Sequence, residues 1–148
     1  AYYRLVELFS QREIQKEYVA IIAGVPTIRC GTIRKNIDRH PTFRTKMCVC
    51  DDSMGRDAWT DWFIEEVFGS KAGLVRCQIH TGRTHQIRVH AASIGHRLVG
   101  DELYGGNRTH IAHQALQCVS LTFEHPITKE PLHFTTELLA QFSSICSN

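Results

Sequence analysis

Between Cys77 and Gly106 the chain reads CQIHTGRTHQIRVHAASIGHRLVGDELYGG, which gathers His80, Arg83, His85, Arg88 and His90 into one turn and the start of a helix. Such a cluster could ligate a metal, grip a phosphate, orient a catalytic group, or simply form a wet surface. Spacing argues against the metal. His85 and His90 are five residues apart, about 140° around a helix, so they cannot close on one ion as an i,i+4 pair does. No carboxylate stands at a matching offset, and no H-E-x-x-H occurs. Electrostatics point elsewhere. Arg83, His85 and Arg88 fall in or just before the first helical turn, where the helix dipole disfavours cations. A sequence that accepts this cost places an anion there. Free backbone N–H groups at a helix start already attract one, and arginine adds planar, bidentate donors. Gly82 permits a tight turn and close backbone approach. The anion is either a substrate phosphate or a carboxylate of the protein.

The elements that must position this turn can be read from periodicity. Residues 2–12, YYRLVELFSQR, carry Tyr2, Leu5, Val6 and Phe9 at helical spacing. KEYVAIIAG reads as a strand that stops at Gly24, before Val25-Pro26. TIRCGTIRK suits a second strand, with Ile28, Cys30 and Thr32 alternating against Arg29 and Gly31. Residues 36–56 form a connecting excursion with one short strand, Lys46 to Cys50. AWTDWFIEEVF and LVRCQIH, separated by GSKAG, make a hairpin in which Val75, Cys77 and Ile79 share a face. THQIRVHAASIG switches to a helical stripe of Ile87, Ala91 and Ile94 and stops at Gly95. ALQCVSLTFEHP is a strand ended by His125-Pro126, PLHFTT returns beside it, and ELLAQFSSI closes as a short helix. Adjacent strand pairs with helices between them predict an α+β domain, residues 1–148, with a mixed, largely antiparallel sheet and flanking helices.

Composition sets outer bounds. Of 148 residues, 43% are apolar and 22% charged, the balance of one ordinary globular domain with a real core. No apolar run approaches the roughly 20 residues of a membrane helix, so no membrane is expected as a partner. Cys30, Cys48, Cys50, Cys77, Cys118 and Cys146 contain no C-x-x-C, and reduced thiols in the cytoplasm are expected. The net charge of +2 hides an uneven distribution. Arg29, Arg34, Lys35, Arg39, Arg44 and Lys46 face only Asp38 within residues 29–46, whereas residues 51–66 are acidic. A basic segment beside a basic turn suggests a polyanion footprint, although either alone is more often a solvated face.

TGRTHQIRVHAASIGHRLVGDELYGG resembles the RluA-like pseudouridine synthase family, whose members carry G-R-[TS]-H-Q-[IL]-R-x-H followed by G-H-x-[IL]-x-G-D-x-x-Y. Three further segments are similar in order and spacing, so the resemblance covers almost the whole chain. FSQREIQKEYVAIIAGVP matches F-x-x-R-x-x-x-K-x-Y-x-A-x-x-x-G, and DRHPTFRTKMCVCDDSMGRDAWTDW resembles the stretch ending in A-x-T. QALQCVSLTFEHP resembles L-H-A-x-x-L-x-F-x-H-P, with Gln117 and Cys118 in place of His and Ala.

The resemblance implies a pseudouridine-synthase-like fold and the isomerisation of uridine to pseudouridine in ribosomal or transfer RNA. It implies no metal and no cofactor, and a monomer acting on structured RNA. The target nucleotide must leave its stack, so base flipping and a basic RNA-facing groove are expected. By the same resemblance, Tyr18 packs beside the target base and is implicated in proton handling, and Arg88 pairs with a nucleophilic aspartate. Arg83, His85 and Gln86 would shape the site or meet RNA phosphates, with Lys16 a further phosphate contact. Without the resemblance, Tyr18 reads as a packed aromatic. His90 and His96 read as supports for the backbone, Asp101 as a turn residue, Tyr104 as packing and His125 as a strand end. His110 and His113 have no assigned role.

One departure outweighs the rest. The family's nucleophile sits in H-R-[LI]-D-x-x-T-S-G, ahead of the K-x-Y tyrosine. Here 17 residues precede Tyr18, and none is an aspartate. None of Asp38, Asp51, Asp52, Asp57, Asp61 and Asp101 has that context. The expectation is that these residues form the C-terminal part of a pseudouridine synthase catalytic domain whose nucleophile lies outside them. The alternative is a non-catalytic RNA-binding module that keeps the groove without the chemistry.

Overall fold

The computed structural model describes Tyr3, residues 14–106 and 113–140, and Phe142. Apart from Tyr3, the helix expected over residues 2–12 lies outside these residues, as do residues 141 and 143–145 of the one expected at the C-terminus, His110 and Cys146. Of the described part of that C-terminal segment, residues 137–139 are not helical and Ala140 and Phe142 are.

Ten elements follow in order: β1 (Gln15–Ala23), β2 (Cys30–Arg34), β3 (Ile37–Arg39), β4 (Met47–Val49), β5 (Trp59–Phe68), β6 (Ala72–Ile79), α1 (Gln86–Ser93), a single 3-10 turn (Glu102–Tyr104), β7 (Leu116–Glu124) and β8 (Pro131–Thr135). Six strands make one sheet in the order β2-β5-β6-β1-β7-β8, every neighbouring pair antiparallel. β3 and β4 pair separately as a small hairpin, so the excursion holds two strands where the sequence suggests one. The sheet is α+β in class, as expected. Among the described residues no helix is long and apolar enough to cross a membrane.

β1 lies near the middle of the sheet, and its run Val19, Ala20, Ile21 and Ile22 is buried on both faces. A strand covered on both sides has no polar face to alternate with, which explains the unbroken apolar run. On one face Ala20, Ile22, Ile33, Trp62, Val75, Cys77 and Ile79 pack against Ile87 and Ala91 of α1, with Tyr18 and Ile94 at the margin. On the other, Val19, Ile21 and Leu74 meet Ala115, Val119 and Phe142. Each fully buried Val or Ile side chain contributes about 1.5–3 kcal/mol. With eight residues α1 is too short to persist alone. Its buried Ile87 and Ala91 hold it on the sheet.

The phase of β2 differs from the sequence expectation. Ile33 is buried, whereas Cys30 and Thr32 are exposed and Ile28 lies before the strand, 61% exposed. The cause is Trp62. Its indole lies over Gly31, 3.1 Å from where a Cβ would stand, so the glycine belongs to the inner face. The β3–β4 hairpin is fastened by a third cluster, in which Ile37 and Ala58 pack with Val89, supported by Met47, Val49 and Tyr104. That contact holds the basic excursion beside the helix that carries Arg88.

Candidate active site

β6 ends at Ile79, and residues 80–85 turn the chain into α1. Gln86 braces that turn. Its Oε1 accepts from Thr81 Oγ1 at 2.6 Å and from the Arg83 N–H at 3.1 Å, while Nε2 donates to Trp59 O and Thr60 Oγ1, both at 3.0 Å. The amide is 3% exposed and fully used inside the protein. Gln86 also stands in the wall of the cleft described below, and with its amide hydrogen bonds spent on the turn it fits the first half of the expectation, that it shapes the site.

His85 is the residue before the helix and adopts left-handed backbone, φ 55°, with no side-chain cap and no acid in the first turn. Non-glycine residues seldom hold that conformation unless their surroundings enforce it. The side chain of His90, one turn on, points into the core instead. It is fully buried, accepts from Thr60 Oγ1 at 2.8 Å, and donates Nε2–H to Lys35 O at 2.9 Å. His96 binds Ala23 O through Nδ1 at 2.9 Å. Both histidines support backbone, as the sequence suggests. Among the described residues no group of three or more His, Cys, Asp or Glu is placed to hold a metal ion.

Arg88 does not wait for a partner. Its Nε donates to Asp101 Oδ2 at 2.9 Å and its Nη2 to Asp101 Oδ1 at 2.8 Å, a bidentate pair with side-chain exposures of 12% and 1%. Asp101 is thus the protein carboxylate that the dipole argument anticipates, and reading it as a turn residue was incomplete. Tyr104 is likewise more than packing. Its hydroxyl accepts the Met47 N–H at 2.9 Å and lies 2.8 Å from His85 Nδ1, and the Arg88 guanidinium sits 5.2 Å above its ring. The signal for both was G-D-x-x-Y itself, thirteen and sixteen residues after Arg88. Sequence spacing alone does not reveal that the chain folds back there.

Tyr18, Arg83, His85 and Arg88 line one cleft of about 230 Å³, closed by Gln114 and Leu116 of the β7 side and by Ile79 and Ile87. Lys16 is not part of that lining; its Nζ stands 3.2 Å from the position of a Cβ on Gly82, beside the turn. Arg83 donates from Nε to Asp57 O at 2.7 Å. Tyr18 faces Cys77 on one side and Cys118 on the other. Opposite Glu17 and Tyr18, β7 carries an extra residue, Val119, a bulge at the strand position that matters most. Burial, and then the neighbouring Cys118 thiol, push the Tyr18 hydroxyl above its usual pKa, so it stays protonated at neutral pH. Burial and then Arg88 push His85 below its usual value, against the opposing pull of Asp101, and favour the neutral ring. Gln117, where the family pattern has His, ties the chain after β8: Nε2 donates to Glu137 O at 2.7 Å and Oε1 accepts Leu139 N–H at 2.9 Å.

Comparison with known proteins gives one consistent picture. A family model described as RNA pseudouridylate synthase matches residues 1–93. The ribosomal large subunit pseudouridine synthase D of Xanthomonas campestris pv. campestris is 42% identical over 142 residues, covering 86% of this chain and 42% of its own length. The protein of the same name from Vibrio cholerae is 42% identical over 146 residues, 88% of this chain and 44% of its own. The chain thus spans under half the length of these relatives. Among solved structures, human RNA Pseudouridylate Synthase Domain Containing 1 superposes with a TM-score of 0.78 at 28% identity, over 91% of this chain and 59% of that one.

Proposed function

Because the chain belongs to the RNA pseudouridylate synthase family, in its RluA-like branch, we propose that the protein containing it isomerises uridine to pseudouridine in structured RNA. The reaction breaks the N1–C1′ bond of a flipped uridine, joins C5 to C1′, removes the proton from C5 and leaves N1 protonated, so that the product is an isomer of the substrate. One observation carries the assignment: Tyr18 and Arg88, seventy residues apart in the chain, meet at one cleft together with Arg83 and His85. Tyr18, held as a neutral phenol, packs against the base and handles a proton. Arg88 is immobilised by Asp101, while its Nη1 has no partner among the described residues and remains available to a second anion.

Asp101 is too buried to attack a sugar, and among the described residues no carboxylate lines the cleft. The nucleophilic aspartate is accordingly assigned to sequence outside these 148 residues, which form the C-terminal part of the catalytic domain. Arg83, His85 and, beside the turn, Lys16 face RNA. The names of the bacterial relatives favour large-subunit ribosomal RNA over transfer RNA, and with it the cytoplasm.

A second reading is an RNA-binding module without chemistry, which fits a cleft lined, among the described residues, by arginine, histidine and tyrosine with no carboxylate. Assay of the protein made from the whole reading frame, with uridine-containing ribosomal RNA, separates the two. Pseudouridine is expected, and Arg88→Ala is expected to abolish its formation. RNA binding with no pseudouridine from the unsubstituted protein would establish the second reading. Full activity in Arg88→Ala would remove Arg88 from the site.

A further inference from the structure

The hydroxyl of Tyr104 has one proton and two neighbours. Met47 N–H, 2.9 Å away, can only donate, so the hydroxyl accepts there. His85 Nδ1, 2.8 Å away, could donate or accept. If it donated, the Tyr104 proton would have no acceptor among the described residues. If it accepts, the Tyr104 hydroxyl both donates and accepts, and the remaining proton of the neutral ring is on Nε2. That nitrogen has no hydrogen-bond partner among the described residues, and His85 forms part of the cleft wall beside Arg83 and Arg88.

Resting on the RNA-modifying reading above, we propose that Tyr104 is a positioning residue that fixes His85 in its Nε2–H form, so that His85 presents a donor, and no lone pair, to an RNA phosphate oxygen in the cleft. Three features support it. The His85 backbone is held at φ 55°, a conformation that among the described non-glycine residues only Lys129 shares. Uncommon backbone of this kind persists where the surroundings over-determine it, and functional sites are where it collects. The rings of His85 and Tyr104 meet edge to face, 5.7 Å apart at 84°, which fixes the plane of the imidazole as well as its proton. Arg88 and Lys46 both lie over the Tyr104 ring, at 5.2 and 5.9 Å, so the phenol is clamped between the helix and the basic hairpin. A neutral donor flanked by arginines suits a phosphate oxygen, whereas a bare lone pair would repel it.

Heteronuclear NMR of the imidazole nitrogens near neutral pH reads the tautomer directly and needs no activity. The His85 proton is expected on Nε2, and Tyr104→Phe is expected to shift population toward Nδ1–H. A proton on Nδ1 in the unsubstituted protein, or a tautomer indifferent to Tyr104→Phe, would overturn the proposal. Affinity for a uridine-containing stem-loop RNA supplies the second arm. Glutamine places its N–H donors near the position of Nε2, and asparagine near that of Nδ1. His85→Gln should therefore retain most of the affinity, and His85→Asn should weaken it roughly tenfold, the effect of one hydrogen bond to a charged group. A purely conformational role predicts the reverse, because asparagine tolerates left-handed backbone better than glutamine; that order would also overturn the proposal. Loss of pseudouridine formation by the whole protein would count against the enzymatic reading and leave the tautomer result standing.

Discussion

Two clusters in this molecule are assembled from the same four kinds of side chain. Beside the cleft stand Arg88, Tyr104, His85 and Asp101; on the opposite face of the sheet stand Arg34, Trp59, His80 and Asp61. In both, a guanidinium lies over an aromatic ring, at 5.2 Å for Arg88 and 4.6 Å for Arg34. In both, an imidazole touches that ring, edge-on at 5.7 Å in the first and tilted at 4.1 Å in the second. The difference is water. Arg88 and Asp101 are 12% and 1% exposed and joined by two bonds, whereas Arg34 is 58% exposed and reaches Asp57 through one contact of 3.4 Å. Asp61, 37% exposed, collects bonds from Thr32, Trp59 and His80 instead. The outer cluster spends its polar atoms on itself in solvent. The cleft cluster is dry at its centre, its His85 and Arg88 line a cavity, and His85 Nε2 and Arg88 Nη1 have no partner among the described residues. Side-chain identity does not separate the two; burial and unspent donors do.

The sharpest way to break the comparison is to remove the dry carboxylate. Asp101→Ala strands a guanidinium that is mostly out of water. Losing one partner of such a pair costs about 3–5 kcal/mol, because the remaining charge is uncompensated. Denaturant unfolding should show that loss, and pseudouridine formation should fall with it. A change below about 1 kcal/mol would mean that Arg88 is hydrated after all, and the distinction between the clusters would fail.

β6 and α1 were legible because burial on one face imposes a period, and β1 because burial on both faces leaves an unbroken apolar, β-branched run. β2 was misphased because a glycine has no side chain to declare its face, and only the Trp62 indole above Gly31 shows which way it points. The cleft residues on the sequence-adjacent turn were legible from charge at a helix start. Asp101 and Tyr104 were not, since their roles come from a chain reversal after Gly95 that brings them back over Arg88. Gln86 shows the converse case. A polar residue inside a functional motif looks available, yet its neighbours in space, Thr81, Trp59 and Thr60, had already claimed it.

Acidification should take the two clusters apart one after the other. Burial lowers the pKa of His90, with the Lys35 carbonyl pulling upward and the Lys35 charge pushing further down; burial and Arg88 lower His85. A histidine depressed by folding binds fewer protons in the native state, so its stabilising share is whole above the ordinary value of about 6.5 and is lost as pH falls through the folded value. Asp61 follows the same sign at lower pH. Burial would raise it, but the hydrogen bonds from Thr32, His80 and Trp59 prevail and lower it, so its share is whole above about 3.9 and is lost below. Unfolding midpoints measured against pH should therefore fall in two stages, the first from the α1 side and the second from the outer face. His90→Asn should flatten the first slope, and Asp61→Asn the second. A single transition in the carboxylate range, unchanged by His90→Asn, would show that the buried histidines do not resist protonation.

The smallest effect is expected at Arg34, which makes it the strictest control. Its ion pair with Asp57 is exposed on both sides, and such pairs are worth about 0–1 kcal/mol once side-chain entropy is counted. Stacking on Trp59 adds about 0.5–1 kcal/mol at an exposed site. Arg34→Ala should therefore cost no more than about 2 kcal/mol, and raising the salt concentration should erase the ionic part of that loss. Arg88→Ala leaves Asp101 buried and unpaired, so it should cost about 3–5 kcal/mol, and salt should barely change it. The ratio of the two losses measures how far exclusion of water alone turns one set of side chains into a site and the other into a surface. Equal losses with equal salt dependence would mean that the cleft is as wet as the outer face. A guanidinium in water would then have no reason to be oriented, and the argument for Arg88 as the immobilised cation of the site would lose its physical basis.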